Sequence, residues 1–220
     1  MNIGILGGSF DPIHSGHAYL ARTALRIFSL DEVVIMPART PPHKSGQGLT
    51  NPYHRFAMAS LATNDIPEVV VSTWELDRPG PTYTIDTLKH FSSNYPRNSY
   101  WFIAGGDSLK ELHLWKDCDK LLREYSFIFF ERAGVQTSIF DLDIPHSMKE
   151  KFQTVCETRQ QLIQPDTSYL VQSIPPPVSS TDIRQMIASG LTPGSDILSA
   201  QVLEHIRKHR LYEQRERDSG

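Results

Sequence analysis

Two histidines three residues apart, His14 and His17, close the stretch GGSFDPIHSGH (Gly7 to His17), which directly follows the apolar run Ile3 to Leu6. Imidazoles donate hydrogen bonds and can carry charge near neutral pH. Glycines just past a strand let backbone N–H groups approach a ligand, and the start of the next helix adds free amides and a positive dipole end. That chemistry suits a phosphate. Either histidine alone reads as readily as a helix cap or a surface residue. Two glycines, the turn-setting Pro12 and two rings converging on one helix start point instead to an anion. The spacing is neither GxGxxG nor GxxxxGK[ST], which excludes a dinucleotide fingerprint and a Walker loop.

A second set lies far along the chain. In IPPPVSSTDIR, Ser179 or Ser180 can cap a helix running to Gly190, with Thr181 and Arg184 in its first turns. A third is RPGPTYTIDTL, where prolines and Thr82 precede a helical pattern from about Tyr83. The amides of Tyr83 and Thr84 then point out of a helix N-terminus, a position that favours a carboxylate.

The elements that position these residues follow from apolar patterning. NIGILG, EVVIMP, EVVVS, YWFIAG and YSFIFF read as strands. They alternate with helical patterns near residues 16–28, 52–63, 83–94 and a short stretch through Leu109. Rich in Val, Ile and Phe and without strict polar alternation, the strands suit a parallel sheet covered on both faces. The expected class is α/β, a Rossmann-like doubly wound parallel sheet with a small C-terminal helical part, the last helix spanning about 199–209. Residues 1–212 are expected to form one domain and 213–220 a polar tail. The stretch of about 134–170 has no clean periodicity and reads as a variable insertion.

The chain has 220 residues, 39% hydrophobic and 21% charged, with formal charge -3. That balance argues against broad phosphate neutralisation along a nucleic acid while permitting a local anion pocket. No leader pattern and no run of about 18 apolar residues is present. Cys118 and Cys156 are far apart and in no CxxC pattern, so a cytoplasmic protein without a disulfide framework is expected.

GGSFDPIHSGH resembles the signature of the HxGH nucleotidyltransferase superfamily, and FDP before the histidines resembles bacterial nicotinate-nucleotide adenylyltransferases. The first motif alone leaves pantetheine-phosphate adenylyltransferases and cytidylyltransferases open. Further similarities narrow the choice: PPHK with His43 and Lys44, Arg55 on the next helix, ELDRPGPTYTIDTL, IAGGDSL, Trp115, SSTDIR and the ending HIRKHRLY, in family order from residue 3 to 212. Departures are Val178 for the usual Ile, Ala133 where many members have Pro, and the extra glycine Gly106.

The resemblance implies transfer of AMP from ATP to nicotinic acid mononucleotide, with pyrophosphate released, in NAD biosynthesis. It implies backbone contacts to ATP from Gly8, Ser9 and Phe10, and phosphate contacts from His14, His17, Ser180, Thr181 and Arg184. His14, His17 and Arg184 are the implied catalytic set. Gly105, Asp107 and Ser108 fall on the ATP side, Asp107 accepting from a ribose hydroxyl. Lys44, Tyr83, Thr84, Trp115 and Arg132 fall on the acceptor side, Trp115 stacking on the pyridine. Mg2+ is expected to be carried by substrate phosphates and water, with no protein metal site, and the basic residues of HIRKHR read as a solvated face. Two alternatives stay open: an enzyme selective for another acceptor, such as the nicotinamide nucleotide, and a nucleotide sensor that kept the fold. Both histidines, both hydroxyls and Arg184 argue against the sensor.

Overall fold

The apolar runs form seven strands, β1 (Asn2–Gly8), β2 (Glu32–Pro37), β3 (Val69–Val71), β4 (Ser99–Gly105), β5 (Ser126–Phe130), β6 (Phe152–Cys156) and β7 (Ser168–Gln172). A computed structural model of the chain, describing residues 1–41, 48–131 and 138–213, places them in one sheet ordered β3-β2-β1-β4-β5-β7-β6. Every pairing is parallel. The helices are α1 (Ser15–Phe28), α2 (Pro52–Thr63), α3 (Thr84–Asn94), α4 (Gly106–Lys110), α5 (Cys118–Glu124), α6 (His146–Lys149), α7 (Ser180–Ala188) and α8 (Ala200–Lys208).

Side chains alternate across the strands and feed two cores. Val33, Ile35, Ile128 and Phe130 pack with Ala24, Ile27, Met58, Ile183, Val202 and Ile206 from α1, α2, α7 and α8. Val34, Met36, Phe127 and Phe129 pack on the other face with Ile85, Leu88, Leu109 and Leu121 from α3, α4 and α5. Both faces are therefore covered, which explains strands that are apolar at nearly every position. No helix among the described residues is long and apolar enough to cross a membrane.

The doubly wound parallel sheet is as expected, and most elements lie within a residue or two of their predicted bounds. The region without clear periodicity is more ordered than its pattern suggests: β6 and α6 fall inside it. Edge strand β6 buries only Val155 deeply, with Phe152 half-buried, so it carries almost no apolar signal of its own. Parallel pairing such as Val155 with Val171 holds it to β7. Short α5 also goes beyond the sequence reading; it buries Leu121 and Leu122.

The order of the strands locates a crevice. From β1 the chain runs through α1 to β2 on one side, whereas from β4 it runs through α4 and α5 to β5 on the other. The direction of winding reverses between β1 and β4, and in such sheets ligands bind beyond the strand C-termini at that switch point. Leu6 is paired with Ile103, two residues before Gly8 and Gly105 respectively, so both glycines end their strands at the mouth of this crevice.

Candidate active site

The Gly7–His17 loop leaves β1 into the crevice. Its glycines allow close approach: a Cβ on Gly8 would lie 3.0 Å from the Phe10 ring, and one on Gly16 would lie 3.0 Å from the His14 ring. Phe10 is fully buried with φ 49, a left-handed conformation that is strained for a bulky residue and persists only where surrounding packing enforces it. The Asp11–Pro12 peptide is cis.

His14 caps α1, and its backbone N–H donates to Nδ1 of His17 at 3.3 Å. That bond occupies Nδ1 as an acceptor, so a neutral His17 ring carries its proton on Nε2. The two rings lie 3.9 Å apart, and Phe10 meets His17 edge-on at 5.0 Å. Among the described residues His14 Nδ1 is buried without a hydrogen-bond partner, as is the hydroxyl of Ser15. Buried polar atoms left unmatched cost free energy, and at a strand end facing a crevice they mark where a ligand supplies the missing partners. Burial lowers the His14 pKa to about 4, so the ring is neutral at pH 7 in the free protein. The sequence reading of two rings that can carry charge therefore applies to His14 only once an anion is bound.

This burial has a measurable consequence. The folded-state pKa lies below the unfolded value of 6.5, so between pH 6.5 and 4 the unfolded chain binds the extra proton and acidification destabilises the fold. The expected contribution is up to about 1.4 kcal/mol per pH unit across that window. Replacing His14 with Gln should flatten the slope of unfolding free energy against pH there. An unchanged slope in urea titrations would remove His14 as its source.

The loop is braced from behind by Asp11, Tyr212 and Arg55, of which the sequence pattern named only Arg55 individually and gave none a bracing role. Asp11, 1% exposed, accepts from the Tyr212 hydroxyl at 2.6 Å through Oδ1 and from the Thr50 amide at 3.2 Å through Oδ2. Burial and the neighbouring Asp11 carboxylate both push the Tyr212 phenol far up, so it stays a donor. Arg55, wholly buried in α2, donates to the carbonyls of Ser9 (2.6 Å), Thr50 (3.0 Å) and Arg39 (3.1 Å). Both Asp11 and Tyr212 lie inside stretches noted for their resemblance, FDP and HRLY. The signal was visible as motif, but not as bracing.

Helix α7 closes the same loop from another side. Ser179 caps it, accepting from the Asp182 amide at 3.1 Å. Arg184 donates to the Asp11 carbonyl at 2.7 Å and to the Thr181 hydroxyl at 3.2 Å. The Ser180 hydroxyl donates to the Pro12 carbonyl at 2.9 Å, so here it pins the loop, and with the Asp182 amide given to Ser179 it is the Ser180 and Thr181 amides that start the helix. Val178, the exchange for Ile, would lie 3.4 Å from a Cβ on Gly16, packing α7 against the start of α1.

Across the crevice, Gly105 caps α4, with Asp107 exposed and Ser108 half-buried in its first turn. A Cβ on Gly105 would meet nothing within 4 Å, so the glycine leaves open space there. Tyr83 caps α3 rather than beginning it, so the amides of Thr84 and its neighbours start the helix. Lys116 pairs with Asp86 at 3.1 Å and lies 4.6 Å over the Tyr83 ring, tying the Trp115 segment to the α3 start. Half-buried Trp115 meets Phe102 and Phe127 edge-on at 5.7 and 6.3 Å. Buried Glu75 accepts from Thr82 and Thr87 hydroxyls, each at 2.6 Å, and burial raises its pKa. His43, Lys44, Arg132 and Ala133 lie outside the described residues. A hollow of about 510 Å³ beside α3 is lined by Trp74, Arg78, Thr82, Asp86, Lys89 and His90 among others, and none of the paired-histidine loop lines it.

Residues 5–186 match the cytidylyltransferase-like family model. A Thermoanaerobacter protein named "Probable nicotinate-nucleotide adenylyltransferase" is 37% identical over 98% of this chain and 96% of its own. The chain belongs to the nicotinate-nucleotide adenylyltransferase family. A Moorella thermoacetica member of the same name is also 37% identical, over 97% of this chain and 92% of that one. Among solved structures, the Plasmodium falciparum nicotinic acid mononucleotide adenylyltransferase complexed with NaAD superposes with TM-score 0.71, covering 96% of this chain and 97% of that one at 23% identity. At that identity the likeness speaks for the fold, which is the adenylyltransferase fold expected from the motifs. Family membership also removes the pantetheine-phosphate and cytidylyl alternatives that the first motif left open.

Proposed function

We propose that the chain transfers AMP from ATP to nicotinic acid mononucleotide, forming nicotinic acid adenine dinucleotide and pyrophosphate in cytoplasmic NAD biosynthesis. The observation that carries this reading is the pair of imidazoles 3.9 Å apart at the start of α1, at the β1/β4 switch point, with an orphaned buried ring nitrogen. The acceptor's phosphate oxygen attacks the α-phosphorus in line, and the bond to the pyrophosphate oxygen breaks. The protein supplies position and charge compensation.

In this reading Gly8, Ser9 and Phe10 run along the ATP, and His14 completes its hydrogen bonding on a phosphate oxygen. His17, its proton held on Nε2, donates to the α-phosphate as charge grows there. The amides of Ser180 and Thr181 and the unused donors of Arg184 receive the departing pyrophosphate. Asp107 accepts from the adenosine ribose, with Gly105 and Ser108 beside it. Thr84 and Tyr83 hold the nicotinate carboxylate, Trp115 offers its half-exposed ring to the pyridine, and Lys44 and Arg132 complete the acceptor side.

Nucleotidyl transfer from ATP is generally assisted by a divalent cation, and we assign Mg2+ here. The side chains around the phosphates are imidazole, hydroxyl and guanidinium, and the loop's own carboxylate, Asp11, is committed to Tyr212 and Thr50. Such donors fit phosphate rather than the ion, which phosphate oxygens and water would hold. When bound it draws negative charge from the triphosphate. Pyrophosphate release from ATP that depends on nicotinic acid mononucleotide tests the whole reading, and ATP binding without turnover would replace it with a sensor.

Acceptor choice follows from the α3 start. Two acidic groups lie near it, but Asp86 is paired with Lys116 and burial weakens the charge on Glu75. The first-turn amides therefore favour a carboxylate, which accepts from two of them, over a carboxamide, whose NH₂ would face donors. Exchanging a charged acceptor for a neutral one forfeits about 1.5–3 kcal/mol. The kcat/KM ratio is expected to favour nicotinic acid mononucleotide over nicotinamide mononucleotide by about tenfold or more. Equal use of both at saturating ATP would assign the carboxylate elsewhere.

A further inference from the structure

Three further histidines meet away from the phosphate loop. His54 sits in the first turn of α2, His205 in the last turn of α8, and His209 caps α8, donating its backbone N–H to the His205 carbonyl at 3.1 Å. The ring centroids of His54–His205, His54–His209 and His205–His209 are 5.2, 4.6 and 4.5 Å apart. Nδ1 of His54 lies 3.1 Å from Nε2 of His205, and one nitrogen from each ring lies within 4.8 Å of the others. His54 and His205 are half-buried and His209 is exposed. The sequence reading placed the last two on a solvated face. Packing of α8 on α2 brings His205 to a residue 151 positions away in the chain, a juxtaposition no local pattern reveals.

The chemistry of this cluster differs from that of the phosphate loop. The spacing of His205 and His209, four apart, aligns two rings on one helical face, and a third ring enters from a second helix. Two nitrogens bound tetrahedrally at about 2.0–2.1 Å stand roughly 3.4 Å apart, so the 3.1 Å pair already has near-ligating separation and the third ring needs a shift of about 1 Å. An all-imidazole set suits zinc and its neighbours and is a poor match for magnesium. We propose that His54, His205 and His209 form a site for a borderline divalent transition metal of the zinc class, with water completing the tetrahedron, that staples α8 to α2. The staple lies beside the bracing of the phosphate loop: Arg55 follows His54 in α2, and Tyr212 follows three residues after His209. The bound ion holds both supports in register and takes no part in the transfer chemistry.

The test is titration of chelator-treated full-length protein with Co2+ at pH 7.5, followed by visible absorption and by melting temperature. One Co2+ per chain with the intense bands of tetrahedral coordination is expected, displaced by Zn2+ and unaffected by excess Mg2+. At a hundredfold excess over Kd the melting temperature should rise by roughly 5–10 °C. His209→Gln, at an exposed position that folding does not depend on, should weaken binding by on the order of a hundredfold or more, as should His54→Gln, while His113→Gln binds like the parent protein. Binding of His209→Gln as tight as the parent's, a six-coordinate spectrum, or no stoichiometric uptake would each overturn the site and leave a cluster joined by ring hydrogen bonds alone.

Discussion

Replacing His17 with Ala is expected to lower kcat by two to three orders of magnitude, with a much smaller change in the affinity for ATP. On the proposed reading the substitution removes a donor aimed at charge that develops during transfer, and loss of one such donor costs about 2.7–4 kcal/mol of transition-state stabilisation. On the proposed reading ground-state binding survives, because the α1 and α7 amides, the loop backbone and Arg184 would still contact the phosphates. Steady-state kinetics together with a direct measurement of ATP binding separates the two effects. Parallel losses in kcat and affinity would make His17 a ground-state contact, and His17→Asn, which keeps a donor, should fall between Ala and the parent.

The largest effect on stability is expected at Arg55. Its guanidinium is fully buried and donates to three carbonyls, on Ser9, Thr50 and Arg39, with the Asp11 carboxylate close enough to influence its ionisation. Arg55→Met fills similar volume but strands those acceptors and removes the positive charge near Asp11. Each buried acceptor left unmatched costs about 1–3 kcal/mol, so stranding three of them costs about 3–5 kcal/mol after partial relaxation. Urea unfolding should show a loss of that size without a change in m-value, and a loss below about 1 kcal/mol would show that water replaces the guanidinium. Arg55→Lys keeps the charge but cannot reach three carbonyls in different directions, so it should recover only part of the loss.

The fold was legible where burial on both faces writes long apolar runs, as in EVVIMP and YSFIFF, and where a cap is signalled, as by the Ser179–Ser180 pair, of which Ser179 is the cap. It was illegible at β6, where an edge strand with one deeply buried side chain relies on β7 for its register. The site divides in the same way. His14, His17 and Gly16 are neighbours in sequence, so their convergence could be read directly. The Ser180 hydroxyl looked like a phosphate donor because its type and position suit one. Its use in holding the Pro12 carbonyl depends on how α7 approaches the loop, which spacing does not specify. Asp11, Arg55, Tyr212 and the three clustered histidines are matched only through tertiary packing.

The bond between Tyr212 and Asp11 joins residues 201 positions apart, and those from Arg184 and Ser180 to the same loop span 173 and 168. The loop that carries the paired histidines is thus made well before the segments that brace it. At about 5–20 residues per second, its supports follow it by roughly 10–40 s. A nascent chain holding the entire HxGH motif has no α7 against Gly16 until residues 180–188 are made, and no Tyr212 hydroxyl on Asp11 until later still. On the proposed reading, competence to bind the triphosphate therefore arrives only once Tyr212 has been made, and chains that stop short of it should neither sequester ATP nor be protected by it.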